Sequence, residues 1–175
     1  MKNITCLLTL VFFLASFTGI KAQEGNSQSL DTKVVTQIGI VVEDIEETSQ
    51  AYAELFGIET PQVSETDGYS KTNAHYRGEP TKGRAKLAFI RLENITIEII
   101  EPIGGPSTWK EFLDKHGEGV HHIAFRVEDM DKTIAMLETK GGELVQRGDF
   151  TGGSYSYVES QDKLKTIIEL LTSED

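Results

Sequence analysis

Two stretches of this chain, eighty-five residues apart, are versions of one another, and that constrains the fold more than any other feature. Gln37 to Thr48 reads QIGIVVEDIEET, and His122 to Thr133 reads HIAFRVEDMDKT. Ile, Val, Glu, Asp and Thr coincide, and most other positions are similar in kind. Each copy begins as a β-branched or apolar strand and turns, at the shared Val-Glu-Asp, into a helix with a capping aspartate. A glycine closes each helix, Gly57 in one copy and Gly141 in the other. The downstream ends match as well: IEII at Ile97 to Ile100, IELL at Ile168 to Leu171. The period is too long for a solenoid. Two copies predict a single domain with an internal twofold axis, α+β in class, built from two βαβββ modules that form one cupped mixed sheet with helices outside.

Expected boundaries follow. Lys2, the uncharged run Leu7 to Phe17 and the small-residue exit to Ala22 read as a signal peptide over residues 1–22, cleaved after Ala22. The run is about half the ~20 residues of a membrane span. Cys6 precedes that run, so it is no lipidation site, and the mature chain has no cysteine for a disulfide. Residues 23–32 are polar and read as a flexible leader. The domain is expected over 33–173: module one about 33–102, a linker helix at 107–117, and module two about 118–172. Within module one the strand should run Lys33 to Val42. The helix after it should be capped by Asp44 with Glu47 and carry Ile45, Tyr52 and Leu55 on one side. Two strands, Ala85 to Leu92 and Ile95 to Ile100, should precede a turn at Pro102 to Pro106. Thr108 and Glu111 should cap TWKEFLDKH, and Gly152-Gly153 should be a tight turn. Residues 60–84 read as a long loop, in which His75, Tyr76 and Arg77 are either plain surface or a lid. Trp109 is expected between the modules.

Net charge is −11, and loss of Lys2 and Lys21 would make it more negative. Such a surface argues against nucleic acid and, after signal removal, against a membrane as partner. The expected location is periplasmic or secreted.

Strand alternation picks out the chemistry. Gln37 shares a face with Gly39, and His122 with Ala124, while the larger apolar residues Ile38, Ile40, Ile123 and Phe125 point to the helices. Glu98 and Glu169 each interrupt an apolar strand, which is costly unless the carboxylate is paired or holds a metal. The repeat makes Gln37 equivalent to His122, and Glu98 equivalent to Glu169. A twofold axis would gather all four around one divalent cation, leaving about two positions of an octahedron open.

IEIIEPIGGPSTWKEFLDKHGEGVHHIAFRVEDM, Ile97 to Met130, resembles the central segment of methylmalonyl-CoA epimerase, a family of the vicinal oxygen chelate (glyoxalase) superfamily. The resemblance runs from about Val35 to Leu171, apart from 60–84. It implies a divalent metal (Zn, Co, Ni or Mn) on Gln37, Glu98, His122 and Glu169, and a small-molecule substrate that offers it two neighbouring oxygens. It implies Lewis-acid polarisation of a carbonyl and removal of the adjacent carbon-bound proton by Glu169 or Glu98 through an enolate. The chain departs from the epimerase pattern at Gln37, where His is usual, and at Glu98, where an amide is usual. Lys86 stands near where a second base would fall, and Glu159-Ser160 replaces a usual His-Pro. Gln, Glu, His, Glu is instead the ligand set of zinc-type glyoxalase I. A lactoylglutathione lyase-like enzyme is therefore one alternative, and an exported binding protein that sequesters a small molecule is another. A homodimer is an open alternative to a monomer.

Overall fold

The computed structural model describes residues 29–173. The expected signal peptide and most of the leader lie outside the described residues. Where the leader comes into view it already touches the fold. Leu30 packs against the core under the second module's helix, and Asp31 accepts from the Glu128 N–H at 3.4 Å.

The first module runs β1 (Gln37–Val41), α1 (Ile45–Phe56), β2 (Ser64–Glu65), then β5 (Gly83–Arg91) and β6 (Thr96–Gly104). Between β2 and β5 lie α2 (Tyr69–Thr72), β3 (His75–Tyr76) and β4 (Glu79–Pro80). α3 (Thr108–His116) links it to the second module: β7 (Gly119–Arg126), α4 (Met130–Thr139), β8 (Glu143–Phe150), β9 (Gly153–Glu159), α5 (Gln161–Leu164) and β10 (Ile167–Ser173). All ten strands form one mixed sheet in the order β2-β5-β6-β1-β7-β10-β9-β8-β3-β4. The repeat is visible in that order. β1 lies parallel to β6 as β7 lies parallel to β10, and β1 and β7 meet antiparallel at the centre.

Apolar side chains sort onto the two faces by strand alternation. On the convex side, Val42, Ile45, Ala88, Ile90 and Ile99 pack around α1, and Phe125, Ile134, Leu137, Ile168 and Leu170 around α4. On the concave side, Trp109 of α3 joins Val41, Ala85, Ile100, Val145, Tyr157 and Ile167, which come from both modules. α1 and α4 thus cover the outside, whereas α3 closes one end of the cup, and Trp109 does sit between the modules.

Several local expectations shift for identifiable reasons. The first strand is shorter than Lys33 to Val42. Asp44 caps α1 through the Glu47 N–H at 2.9 Å, but the buried line is Ile45, Ser49 and Ala53, and Leu55 is 72% exposed. At 100° per residue Leu55 falls about a third of a turn from that line. β6 continues through Pro102, opposite Ala85 of β5; beyond Ile100 it has no partner on the β1 side, so a missing N–H is tolerated. Ser107 rather than Thr108 caps α3, accepting from Lys110 N at 3.1 Å. Residues 151–152 form the expected turn, with Gly152 at φ 91°.

The expected loop 60–84 is instead a strap that joins the two far ends of the sheet. β2 pairs with β5 at one edge, and ten residues later β3 pairs with β8 at the other. Ten Cα steps reach at most about 36 Å when extended, and the turn of α2 shortens that. A flat sheet would separate those strands by about 38 Å, so the sheet must curl. The β3–β4 hairpin turns at Arg77 (φ 48°) and Gly78 (φ 82°), the paired left-handed geometry of a two-residue hairpin. The strap is fastened to α3 by Glu111, which accepts from Tyr76 Oη and Lys115 Nζ and pairs with Arg77 at 3.0 Å. Partial burial opposes ionisation of Glu111, yet Lys115, Tyr76 and Arg77 outweigh it and hold its pKa down at about 2.

E111Q is therefore expected to lower stability near neutral pH by on the order of 1 kcal/mol, read from denaturant midpoints. A depressed folded-state pKa stabilises above the unfolded value and loses that contribution as pH falls through the folded one. The gap between wild type and E111Q should be full at pH 6, shrink below about 4.5, and close near pH 2. A gap independent of pH would show that the carboxylate's charge does not fasten the strap.

Candidate metal centre

Four strands, two from each module, bring the candidate ligands to the floor of the cup. His122 sits on β7, Glu98 on β6 and Glu169 on β10, respectively 0%, 7% and 3% exposed. His122 Nε2 lies 3.1 Å from Glu169 Oε2 and 3.4 Å from Glu98 Oε2. One ligand atom from each of the three falls within 4.8 Å of the others. None of these three buried atoms is aligned for a hydrogen bond. Gln37, on β1, opens onto the same cavity.

The cavity is about 540 Å³, within the usual range for a small-molecule site. Leu87, Phe89, Thr96, Tyr155, Tyr157 and Leu171 line its walls from the strands. The strap contributes Glu65, Thr66, Asp67, Thr72 and Ala74. His75, Tyr76 and Arg77 are not among the lining residues; they form the hairpin and its tether to α3, so of the two alternatives the lid is not formed by them. Lys86 is turned away from the cavity, paired with Glu101 at 2.9 Å and Glu46 at 3.8 Å.

Gly39 explains how an imidazole fits at the centre of a sheet. It is the register partner of His122 across the twofold, and a Cβ there would lie 1.9 Å from His122 Cε1. The space expected beside Gly39 is thus filled by the histidine ring itself. Ala124 keeps the corresponding place small between Gln37 and Glu169.

Electrostatics sets the requirement. Burial disfavours charge on His122, but the two carboxylates outweigh it and raise its pKa to about 9. Burial, reinforced by the Glu169 charge, raises the pKa of Glu98. Even with His122 protonated, two ionised carboxylates would leave one negative charge without a partner in a nearly waterless place. A dication removes that excess and gives the three unpartnered atoms a ligand in common. Two carboxylate oxygens and one imidazole nitrogen suit a borderline divalent ion.

Sequence reasoning passed over two residues here. His121 is also fully buried, against the alternation rule that would place it opposite His122. The β1–β7 register slips by one residue after Gly39–His122, so that Ile40 faces Val120 and His121 is the extra residue of a bulge. Burial, with the neighbouring His122 charge, holds its pKa well below the ordinary value. Tyr157, the register partner of Glu169, lies with its ring 5.0 Å from that of His122 and is also fully buried. The adjacent pair His121-His122 was the available signal, since two like polar residues in a row break strand alternation.

Residues 36–158 match the family model described as the Glyoxalase/Bleomycin resistance protein/Dioxygenase superfamily. The chain belongs to that superfamily. An ethylmalonyl-CoA/methylmalonyl-CoA epimerase of Cereibacter sphaeroides is 28% identical over 116 residues, covering 66% of this chain and 76% of the epimerase. An uncharacterized Bacillus subtilis protein, YqjC, is 26% identical over 90 residues; the match covers 50% of this chain and 64% of YqjC. The structure of methylmalonyl-CoA epimerase from Mycobacterium tuberculosis superposes with a TM-score of 0.57 at 21% identity, covering 85% of this chain and 95% of that one. At that identity the structural likeness is one of fold. Within the glyoxalase superfamily fold, the buried Glu-His-Glu group of this chain is able to hold a divalent metal.

Gly39→Ala is the sharpest probe of this arrangement, because the new methyl group would meet the His122 ring rather than a movable side chain tip. Overpacking of this kind costs about 1–3 kcal/mol. G39A is expected to lose that stability and also to bind Zn²⁺ at least about tenfold more weakly. Unchanged stability and affinity, read by denaturant unfolding and chelator competition, would show that the imidazole does not lie over Gly39.

Proposed function

We propose that this chain is a divalent-metal-dependent, methylmalonyl-CoA epimerase-like enzyme that takes a proton from the carbon beside a substrate carbonyl. The observation that carries this reading is the cluster of unpartnered Glu98, His122 and Glu169 atoms at the floor of a cavity of small-molecule size. Gln37, Glu98, His122 and Glu169 would hold the metal. When bound, a divalent cation there supplies Lewis-acid polarisation of the carbonyl.

The chain's own groups do the rest. Glu98 and Glu169 come from different modules onto one side of the sheet, so one carboxylate can take the proton, leaving an enolate, and the other can return it. Phe89, Leu87, Tyr155 and Tyr157 shield the reacting carbon from water. Arg91 and Arg126, exposed at the ends of β5 and β7, line the same cavity and offer cations to an acidic substrate group.

A glyoxalase I-like lactoylglutathione lyase is the second reading, favoured by the Gln-Glu-His-Glu donor set itself. A binding protein that sequesters its ligand without turnover is the third, favoured by the signal peptide proposed for residues 1–22. Export would separate the protein from cytoplasmic thioesters.

Incubation of the zinc-loaded protein with 2-methyl-3-oxoacid or malonyl-type thioesters in D₂O is expected to incorporate deuterium at the carbon between the carbonyls, followed by mass spectrometry. E169Q should lower that rate by about 10²–10⁴-fold. Tight binding of these compounds with no deuterium incorporation would remove the epimerase reading in favour of sequestration. Turnover of the methylglyoxal–glutathione hemithioacetal in its place would select the second reading.

A further inference from the structure

We infer that His121 is a positioning residue for the metal centre: its bulge places an imidazole behind His122, which fixes the face that His122 turns to the two carboxylates. The inference rests on the metal-binding reading above.

Geometry gives the chain of contacts. His122 Nδ1 lies 3.0 Å from His121 Nδ1, and His121 Nε2 lies 3.2 Å from Thr108 Oγ1 in the first turn of α3. The other end of His122, Nε2, is the atom directed at Glu98 and Glu169. A neutral imidazole has one donor and one acceptor nitrogen. The arrangement that turns the His122 lone pair to the carboxylates has His121 Nε2–H donating to Thr108 Oγ1 and His121 Nδ1 accepting from His122 Nδ1–H. The lone pair of His122 is then left on Nε2, facing the carboxylates. A ligand histidine commonly donates its second N–H to such a partner, which sets its tautomer and ring angle.

The surroundings hold His121 in that role. Its ring is edge-on to Phe112 at 5.2 Å and to Tyr157 at 5.5 Å, and it has no exposed surface. Thr108 is held in turn, since its N–H donates to Gln146 Oε1 on β8 at 2.9 Å. Linker helix, bulge and ligand form one buried line. Without the register slip, strand alternation would put His121 on the face opposite His122.

The test compares Co²⁺ affinity, by chelator competition, with the melting temperature of metal-free protein in two variants. H121F keeps a flat ring but no acceptor. H121N places an amide oxygen near the position of Nδ1. H121F is expected to bind Co²⁺ about 10–100-fold more weakly than wild type, and H121N to restore affinity to within about threefold. Long-range ¹H–¹⁵N spectra of the zinc-loaded wild type should show the His122 proton on Nδ1. T108V, which removes the acceptor for His121, should fall between. Wild-type affinity in H121F, or a loss of melting temperature in both variants with affinity unchanged, would overturn the inference. Absence of Co²⁺ binding by wild type would instead overturn the metal reading on which it rests.

Discussion

The antiparallel contact of β1 with β7 is the constraint from which the rest of the molecule follows. It is where the two modules meet, and at its middle Gly39 faces His122. A side chain larger than hydrogen at that glycine is incompatible with the imidazole. With the imidazole in place, the flanking parallel strands β6 and β10 bring Glu98 and Glu169 to its two sides. One seam thus sets both the domain's twofold symmetry and the position of the buried Glu-His-Glu group. The helices on the convex face and α3 at the closed end stabilise a sheet whose concave floor is polar, which an isolated module could not bury.

The two modules differ most around the candidate site. Equivalent positions hold Gln37 in one module and His122 in the other, so the axis passes between unlike side chains. The register slip after His122 adds His121 on the ligand side and couples that side to the linker helix. The strap, residues 60–82, has no counterpart in the second module. It crosses from β5 to β8 and supplies part of the cavity wall, tying module one to the far edge of module two. A boundary between modules drawn near residue 102 therefore describes the repeat in the chain but not the physical partition of the sheet.

Burying two carboxylates around an imidazole is unfavourable as a purely structural device, because removal from water costs more than one hydrogen-bondless cluster returns. Ser49 Oγ, Trp109 Nε1 and Ser156 Oγ are also buried without a hydrogen-bond partner, but only the cavity floor gathers two carboxylates and an imidazole among the described residues. The buried Glu-His-Glu group could hold a divalent ion, in keeping with membership of the glyoxalase superfamily.

The sequence by itself determined the duplicated architecture, the caps at Asp44 and Asp129, and the side of the sheet on which Glu98, His122 and Glu169 lie. These follow from periodicity and local hydrogen bonding, which act over a few residues. It did not reveal the burial of His121, the exposure of Leu55, or the strap's path across both edges of the sheet. A bulge depends on how two distant strands register, and short edge strands are stable only against a sheet already formed. Those features are properties of non-local pairing, and only the tertiary structure decides them.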